Sequence, residues 1–256
     1  NINGFDSLVT VPSLLAYANS PNLNTGLLSY YHVDPVRPEQ VKTIEAGYRA
    51  TFFDRLFLDA VYYVSFYKDF IGYKIGADLT FDPVFTNRLT NAQFYRVSAN
   101  ATDMVTTEGC SVGLNYFIGK FFALSGNYSY NRLDLRGSTD SLIPAFNTPL
   151  NKFNVGFSGR DIDAALFKGK VRLRNTGFSV NYKWIQGFRY EGSPQFSGDV
   201  PGYDLFDAQV SYKVPAIKST FKLGATNLFD KKAFQVYGGP RVGRLAYFSV
   251  LVALTK

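Results

Sequence analysis

The sequence has 256 residues, a net charge of +7 and a high aromatic content of 17%. Its mean hydropathy is -0.07, and no stretch approaches the roughly 18 uncharged apolar residues that a membrane-spanning helix needs. The positive charges are scattered and accompany no recognised nucleic-acid motif, so we expect no nucleic-acid partner. Cys110 is the only cysteine, which excludes an internal disulfide and a paired-cysteine metal site.

The first 41 residues show no regular alternation of apolar and polar side chains. Residues 12–18 predict a short helix, since Pro12 suits a first helical turn. The remainder up to Pro38 is rich in turn-forming residues. We therefore predict a loop segment at 1–41 and a separate region of strands and loops at 42–256.

From residue 42 onward, apolar and polar residues alternate with a period of two, which indicates strands with two unlike faces. In the segment 203–213, Phe206, Val210 and Tyr212 fall on one face, and Asp207, Gln209 and Lys213 fall on the other. The same division places Leu124, Tyr128 and Val250 with the apolar set and Asn127 and Ser249 with the polar set. Nine strands are predicted, at about 42–52, 56–74, 96–117, 121–134, 151–160, 175–190, 203–213, 218–228 and 243–254.

Alternation by itself fits a soluble β-sandwich as well as a membrane barrel, but lengths separate the two. Several predicted strands exceed the roughly 5–6 residues usual in globular sheets and match the roughly 9–11 residues of a tilted membrane strand. Short connections at 53–55, 118–120 and 214–217 alternate with long ones at 75–95, 135–150, 191–202 and 229–242. Outer-membrane barrels have short periplasmic turns and long external loops. We therefore predict an all-β fold, an antiparallel transmembrane β-barrel, with 1–41 outside the cell and the C-terminus in the periplasm. The connection 161–174 is long although it lies at the end of the sheet where the other connections are short, and the pattern gives no reason for its length.

Catalytic and metal-binding chemistry finds little support. His32 is the only histidine, so a hydroxyl-activating dyad would have to use it. Asp59 and Asp69 lie about 33 Å apart along an extended strand, too far for paired acid–base work. We predict neither an enzyme, nor a metal site, nor a cofactor. Aromatic and cationic residues in or beside the long loops are instead predicted to line the mouth of a ligand site: Tyr30, Tyr31, His32, Arg88, Phe94, Tyr95, Phe196, Tyr237 and Arg241.

Two motif regions carry a family resemblance. The first is Val36-Arg-Pro-Glu-Gln-Val-Lys-Thr-Ile-Glu-Ala-Gly-Tyr48, and the second is Asn227-Leu-Phe-Asp230 followed by Gly239-Pro-Arg241 and a terminal strand. Pro149-Leu-Asn-Lys152 and Val200-Pro-Gly-Tyr203 lie between them. In this order the motifs resemble the C-terminal part of a TonB-dependent outer-membrane receptor over residues 20–256. The final residues, Leu254-Thr-Lys256, depart from the aromatic ending usual in that family.

The resemblance implies the closing part of a 22-stranded Gram-negative outer-membrane barrel, without the plug domain, the TonB-contacting box and the first strands. It implies import of a scarce bulky nutrient (siderophore, cobalamin, oligosaccharide or peptide) by loop binding and energy-coupled plug movement. The implied partners are outer-membrane lipid and lipopolysaccharide, the TonB system through the plug, the missing N-terminal barrel, and a small-molecule, glycan or peptide ligand. A passive outer-membrane channel and a phospholipase-like or protease-like barrel enzyme stay open as alternatives.

The odd strand number has a physical consequence. Bacterial single-chain barrels have even strand numbers, and an open sheet would leave two unpaired edges in lipid. Either a tenth strand lies within 1–41, or strands from outside this sequence close the barrel. Because 1–41 lacks alternation, we expect the second arrangement.

Overall fold

A computed structural model describes residues 6–134, 140, 142, 146–166, 171–192 and 196–253. In these residues the secondary structure is almost entirely strand. In chain order the elements are β1 (Val9–Thr10), α1 (Val11–Ala18), β2 (Gln40–Phe52), β3 (Leu56–Lys68), β4 (Ile71–Phe81), β5 (Leu89–Asn100), β6 (Val105–Ile118), β7 (Phe122–Asp134), β8 (Asn151–Leu166), β9 (Val171–Ile185), β10 (Phe188–Glu191), β11 (Ser197–Val200), β12 (Tyr203–Val214), β13 (Ser219–Thr226), β14 (Ala233–Phe234), β15 (Arg241–Val242) and β16 (Leu245–Val252).

Nine of these strands form one antiparallel sheet, which we call the wall. Its order is β2-β3-β6-β7-β8-β9-β12-β13-β16, so each wall strand pairs with the next wall strand along the chain. This up-and-down order confirms the predicted nine-stranded antiparallel sheet. It also places the short connections at one end of the wall and the long connections at the other.

The register gives the wall two unlike faces. One cross-strand row runs through Phe122, Gly159, Phe178, Val210, Leu223 and Phe248. The neighbouring row on the opposite face runs through Ala123, Ser158, Ser179, Gln209, Gly224 and Tyr247. Leu124, Tyr128, Phe206, Tyr212 and Val250 share the first face with Val210, which we call the apolar face, and Asn127, Asp207, Lys213 and Ser249 share the polar face with Gln209. A cross-strand ion pair between Arg49 and Asp59, at 2.7 Å, also lies on the polar face.

Several predicted strand bounds are wrong where the chain leaves the wall. The strand predicted at 56–74 ends at Lys68, because Asp69 adopts a positive φ of 56° and β4 begins a new direction at Ile71. The strand predicted at 96–117 is two strands, β5 and β6, interrupted at 101–104. The segment predicted as a loop at 75–95 is therefore largely a hairpin of β4 and β5.

Two more long connections also contain ordered strand pairs. The strand predicted at 175–190 divides into β9 and β10, and β10 pairs with β11 inside the predicted loop 191–202. The unexplained connection 161–174 continues the β8–β9 hairpin, with register shifts on either side of Ile162. Residues 1–5, 135–139, 141, 143–145, 167–170, 193–195 and 254–256 lie outside the described part of the chain, so the predictions for them stay predictions.

The wall has two free edges. In the described residues β2 pairs only with β3, and β16 pairs only with β13. The strand found before residue 40, β1, pairs with β4 and not with the wall. No tenth wall strand therefore occurs in the described part of 1–41, and β16 does not pair with β2.

Candidate ligand-binding loops

The loops at the end opposite the short turns contact one another and form what we call the loop layer. It consists of α1 and β1, the β4–β5 hairpin, residues 146–150, the β10–β11 hairpin and the β14–β15 pair. These segments follow or precede wall strands on the same side, because each connects two neighbouring antiparallel strands.

The β4–β5 hairpin is held by the N-terminal segment. Helix α1 begins after Thr10, whose side chain accepts a bond from the Ser13 backbone, and Pro12 occupies its first turn. Buried Leu14 and Tyr17 pack with Ala77 of β4. The Tyr17 hydroxyl donates to the Asn87 carbonyl oxygen at 2.6 Å, which fixes the tip of the hairpin. On another side, Leu8 and Val33 form a second buried cluster with Val97 and Ala99 of β5.

The base of the hairpin is fixed where it joins the wall. The Asn100 side chain donates to the carbonyl oxygens of Asp69, at 2.7 Å, and Arg37, at 2.9 Å. Arg37 in turn forms an ion pair of 2.9 Å with Asp69. These contacts join the positive-φ residue at the end of β3 to the segment that leads into β2.

A polar cluster connects three of the long loops. The Tyr73 hydroxyl of β4 donates to Glu191 Oε2 of β10 at 3.1 Å. Arg96 of β5 lies 3.7 Å from the centre of the Tyr73 ring and donates to the Gly192 carbonyl oxygen. Asn147, from the loop after β7, exchanges two bonds with the Glu191 backbone. Burial raises the pKa of Tyr73, and the bond to Glu191 raises the pKa of Arg189.

Asp140 makes a second connection between the loop after β7 and the β4–β5 hairpin. Its carboxylate accepts bonds from the backbone and hydroxyl of Thr102 and from the backbone of Leu142, and it lies 3.9 Å from Lys74 Nζ. Burial alone would raise the pKa of Asp140, but these bonds and the Lys74 charge outweigh it and lower the pKa.

The predicted mouth residues divide into groups. Tyr31 packs against the Leu8–Val33 cluster, with Lys74 Nζ 5.6 Å from its ring centre. Tyr30 is exposed, and His32 is exposed between two carboxylates, with Nδ1 2.5 Å from Asp6 and Nε2 3.2 Å from Asp34. The bond to Asp6, followed by the charges of both carboxylates, raises the pKa of His32.

The remaining mouth candidates lie farther along the chain. Phe94 and Tyr95 belong to β5, and Arg88 lies in the turn before it. Phe196 and Tyr237 join the β10–β11 and β14–β15 loops, because the Tyr237 ring lies on Gly198 and a methyl group at Gly238 would lie 2.7 Å from the Phe196 ring. Gly238 has a positive φ of 75°, which favours glycine at this close approach. Arg241 pairs with Phe234 in the same loop.

No hydrogen bond, ion pair or ring contact among the described residues joins the Tyr30–His32 group directly to the Phe196–Tyr237 pair. The polar cluster of Tyr73, Glu191 and Asn147 lies between the loops and was missed in the sequence. Tyr73 and Glu191 are 118 positions apart, and no motif marks either of them.

The motif Asn227-Leu-Phe-Asp230 closes the loop after β13. The Asn227 side chain donates to the Lys231 carbonyl oxygen at 2.8 Å and accepts from the Lys231 backbone at 2.9 Å, and its own backbone donates to Asp207. Asp230 accepts from the Arg244 backbone at 2.7 Å and from Lys232 at 2.9 Å. The Arg244 bond, followed by Lys232, lowers the pKa of Asp230.

Near the short-turn end, the polar face carries an open cavity of about 480 Å³ whose lining includes Arg160, Lys213 and Lys222. In the described part of the chain, no group of three or more histidine, cysteine or carboxylate side chains is placed to hold a metal ion. No described helix is long and apolar enough to cross a bilayer.

The sequence matches the model of the TonB dependent receptor-like, beta-barrel family over residues 7–228. The chain belongs to this family. A TonB-dependent receptor barrel lies in the Gram-negative outer membrane, so the predicted outer-membrane location and the fold class are confirmed. A comparison with curated proteins gave no match.

Solved structures show the same fold at low identity. The copper transporter OprC is 16% identical, with a TM-score of 0.60 over 84% of this chain and 31% of that protein. The siderophore receptor PirA from Acinetobacter baumannii is 15% identical, with a TM-score of 0.57 over 87% of this chain and 33% of that protein. The FrpB iron transporter from Neisseria meningitidis is 14% identical, with a TM-score of 0.57 over 85% of this chain and 32% of that protein. This TonB-dependent receptor chain thus spans about a third of the length of the structures it matches.

Proposed function

We propose that this chain supplies the C-terminal wall and external loops of an outer-membrane receptor that imports a scarce, bulky nutrient. The observation that carries the proposal is the loop layer. Contacts from Tyr73 and Arg96 to the β10–β11 hairpin, and between Phe196, Tyr237 and the glycines opposite them, connect loops from three different parts of the chain. Asn147 connects a fourth loop to the Glu191 backbone. A connected layer at one end of a barrel presents a defined surface to a ligand.

In this proposal, residues 1–41 lie outside the cell and 42–256 form wall strands and loops, with the C-terminus in the periplasm. The apolar face contacts lipid and lipopolysaccharide, and the polar face lines the lumen. The two free edges, β2 and β16, pair with wall strands from outside this sequence, since each bare backbone group in hydrocarbon costs several kcal/mol.

The transport step requires a plug domain coupled to the TonB system, as the family resemblance implies. The cavity near the short turns supports a plug contact, because its lining carries three positive charges, on Arg160, Lys213 and Lys222, against one carboxylate, on Asp161. Acidic side chains of a plug are the groups that such cations attract.

The ligand is proposed to be a siderophore, a cobalamin, an oligosaccharide or a peptide. Exposed aromatic rings at Tyr30, Phe94 and Phe196 offer stacking surfaces, and the cations Arg88 and Arg241 offer charge to an anionic group. The matched structures include a siderophore receptor and an iron transporter, which makes metal chelates the first ligands to test.

Uptake by intact cells tests the proposal. A strain lacking the receptor should lose uptake of one radiolabelled nutrient from a panel of ferric siderophores, cobalamin, oligosaccharides and peptides, and the intact gene should restore it. The same uptake should disappear in cells without TonB. Uptake that persists without TonB would contradict the proposal and favour a passive channel.

A matched pair of variants separates the ligand mouth from the remaining surface. The double variant Tyr237→Ala, Arg241→Ala should raise the nutrient concentration that gives half-maximal uptake by about tenfold or more. This is the loss of affinity expected when one aromatic and one charged contact are removed. Val84→Ala, an exposed apolar residue at the β4–β5 tip, should leave uptake unchanged. Equal effects of the double variant and of Val84→Ala on uptake would contradict the proposal that Tyr237 and Arg241 line the ligand mouth.

A further inference from the structure

The cavity on the polar face near the short turns lies beside a break in the pairing of β8 with β9. Two residues of β8, Arg160 and Asp161, lie opposite one residue of β9, Gly177, because the register shifts before Ile162. Asp161 adopts a positive φ of 46°. An extra residue of this kind bends its strand and redirects a side chain, and Arg160 lines the cavity. The register shift thus shapes the cavity at the start of the connection 161–174, whose length the sequence pattern left unexplained.

Gly177 forms part of the cavity floor. A methyl group there would lie 2.7 Å from Ser211 Oγ and 3.0 Å from the Gly159 carbonyl oxygen, so a larger residue would collide with its neighbours. Gly177 pairs with Ser211 of β12, and Ser211 pairs with Lys222 of β13. The backbones of Arg160 and Lys222 are therefore separated by three strand spacings, roughly 14 Å. This cross-strand row has a long cationic side chain at each end and open space over the glycine between them.

Positive charge dominates the cavity lining. Arg160, Lys213 and Lys222 contribute three cations, and Asp161 is the one carboxylate among the lining residues. Lys222 lies opposite Ser211 and so diagonally across from Lys213, at about 7–8 Å. In the described part of the chain, none of the three cations forms an ion pair with a carboxylate. Like charges at this spacing repel each other, and an anion between them would offset that repulsion.

The neutral lining residues suit an anion as well. Gln209, Ser211 and Thr220 line the same cavity and carry amide or hydroxyl donors. A guanidinium group beside ammonium groups is the combination that proteins use for carboxylates and phosphates. The cavity lies on the polar face, away from the face that we propose to contact lipid, so a lipid headgroup does not reach it. The lining therefore favours an oxyanion within the lumen.

We propose that this cavity is an oxyanion-binding site, which holds a carboxylate or phosphate group between Arg160, Lys213 and Lys222. The guanidinium group offers paired N–H donors, and the two ammonium groups offer point charges. In the assembled receptor, two sources carry such a group: an acidic side chain of the plug, and an anionic part of the nutrient as it leaves the lumen. The inference rests on the proposed function, because it names the ligand chemistry of a site in the lumen.

A crystal structure of the intact receptor, from crystals soaked in selenate, tests the site and separates the two sources. Selenate is a tetrahedral oxyanion like phosphate, and its selenium atom is located by anomalous scattering. A plug carboxylate within about 4 Å of at least two of the three cations would support the proposal and identify the plug as the source. A selenium peak among the cations would support it and show that the cavity admits an oxyanion from the lumen. The absence of both would overturn it.

A matched pair of double variants tests the side chains. Lys213→Gln with Lys222→Gln removes two of the three positive charges and should abolish the selenium peak. Where a plug carboxylate occupies the site, the same variant should increase amide hydrogen exchange in the contacting plug segment about tenfold or more. Lys152→Gln with Lys183→Gln removes equal charge from the same face, nearer the loop layer, and should leave both readouts unchanged. Heat-dependent migration in SDS gels verifies that both variants keep a folded barrel.

Other outcomes have defined meanings. A selenium peak that persists in the Lys213 and Lys222 variant would show an adventitious ion only, and unchanged exchange in the plug segment would likewise overturn the site. Equal losses in the Lys152 and Lys183 control would show a general effect of lumen charge and would also overturn it. A receptor that needs TonB for uptake but holds neither a plug carboxylate nor selenate in the cavity would contradict this inference alone. Its failure is therefore distinguishable from failure of the proposed function.

Discussion

Individual residues matter most where the chain turns sharply, and Asn227 is the clearest case. It is 4% exposed, has a positive φ of 49°, and its side chain bonds twice to the Lys231 backbone. Asparagine tolerates the left-handed region and supplies both a donor and an acceptor. This combination explains in physical terms why the motif residue stands at the end of β13.

Asn227→Ala should therefore destabilise the folded barrel by about 2–4 kcal/mol, because buried backbone groups lose their partners and alanine resists the positive φ. Guanidinium unfolding followed by tryptophan fluorescence measures the change. Asn127→Ala, an exposed asparagine on the polar face, is the control and should change stability by less than about 0.5 kcal/mol. Equal losses at the two sites would show that the turn does not depend on Asn227.

The polar cluster between loops makes a second prediction at the level of single side chains. Tyr73 and Glu191 share a hydrogen bond of 3.1 Å, so Tyr73→Phe and Glu191→Ala should each increase amide hydrogen exchange in both the β4–β5 and β10–β11 hairpins. A double-mutant cycle should give a coupling of roughly 0.5–3 kcal/mol. Independent, additive effects confined to one hairpin each would mean that the loops do not act together.

At the scale of elements, alternation was enough to find the wall but not the loop layer. Strands of the wall have one apolar and one polar face, and all nine were predicted. The β4–β5 hairpin was predicted as a loop although part of β4 is buried on both faces, with α1 and Tyr17 against Ala77 on one face and Leu8 against Gly76 on the other. Its partner β5 is mostly exposed. A strand covered on both sides carries no period of two, so its sequence hides it. The predicted strands extended past the observed ends of β3 and β9, because only two residues separate each of these strands from the next one.

The two faces of the wall yield a prediction that separates lipid from lumen. Val210 lies on the apolar face and Gln209 on the polar face, where it accepts a bond of 2.8 Å from Tyr247. Val210→Arg should cost about 2–4 kcal/mol near the bilayer midplane. Gln209→Arg should cost at most about 1 kcal/mol, the contribution of the lost bond. Denaturant titration of the barrel in lipid vesicles compares them, and equal costs would mean that the apolar face does not contact lipid.

At the scale of the whole molecule, the sequence was informative about topology and much less so about the site. Connection lengths and two motifs were enough to predict an outer-membrane barrel and its family. The predicted mouth residues stay predictions, and the structure brings Phe196 and Tyr237 together while leaving other members apart. Contacts such as Tyr73–Glu191 depend on how loops fold over the wall, which a two-residue period does not encode.

The orientation of the wall can be tested with cysteine labelling. In a Cys110→Ser background, a membrane-impermeant maleimide should label Phe85→Cys, in the β4–β5 turn, on intact cells. It should label Lys120→Cys, in the short turn before β7, only after the outer membrane is opened. Both positions are exposed, so accessibility alone does not distinguish them. Labelling of Lys120→Cys on intact cells, with Phe85→Cys labelled only after the membrane is opened, would show that the short turns face outside and would contradict the predicted orientation.

The central claim is that this wall is one part of a larger receptor barrel. The structure of the intact receptor, purified from outer membranes and determined by electron cryo-microscopy, tests it most directly. The account predicts that β2 and β16 each hydrogen-bond to wall strands outside these 256 residues and that a plug fills the lumen. Direct backbone pairing of β16 with β2 would close the sheet on itself and contradict the claim.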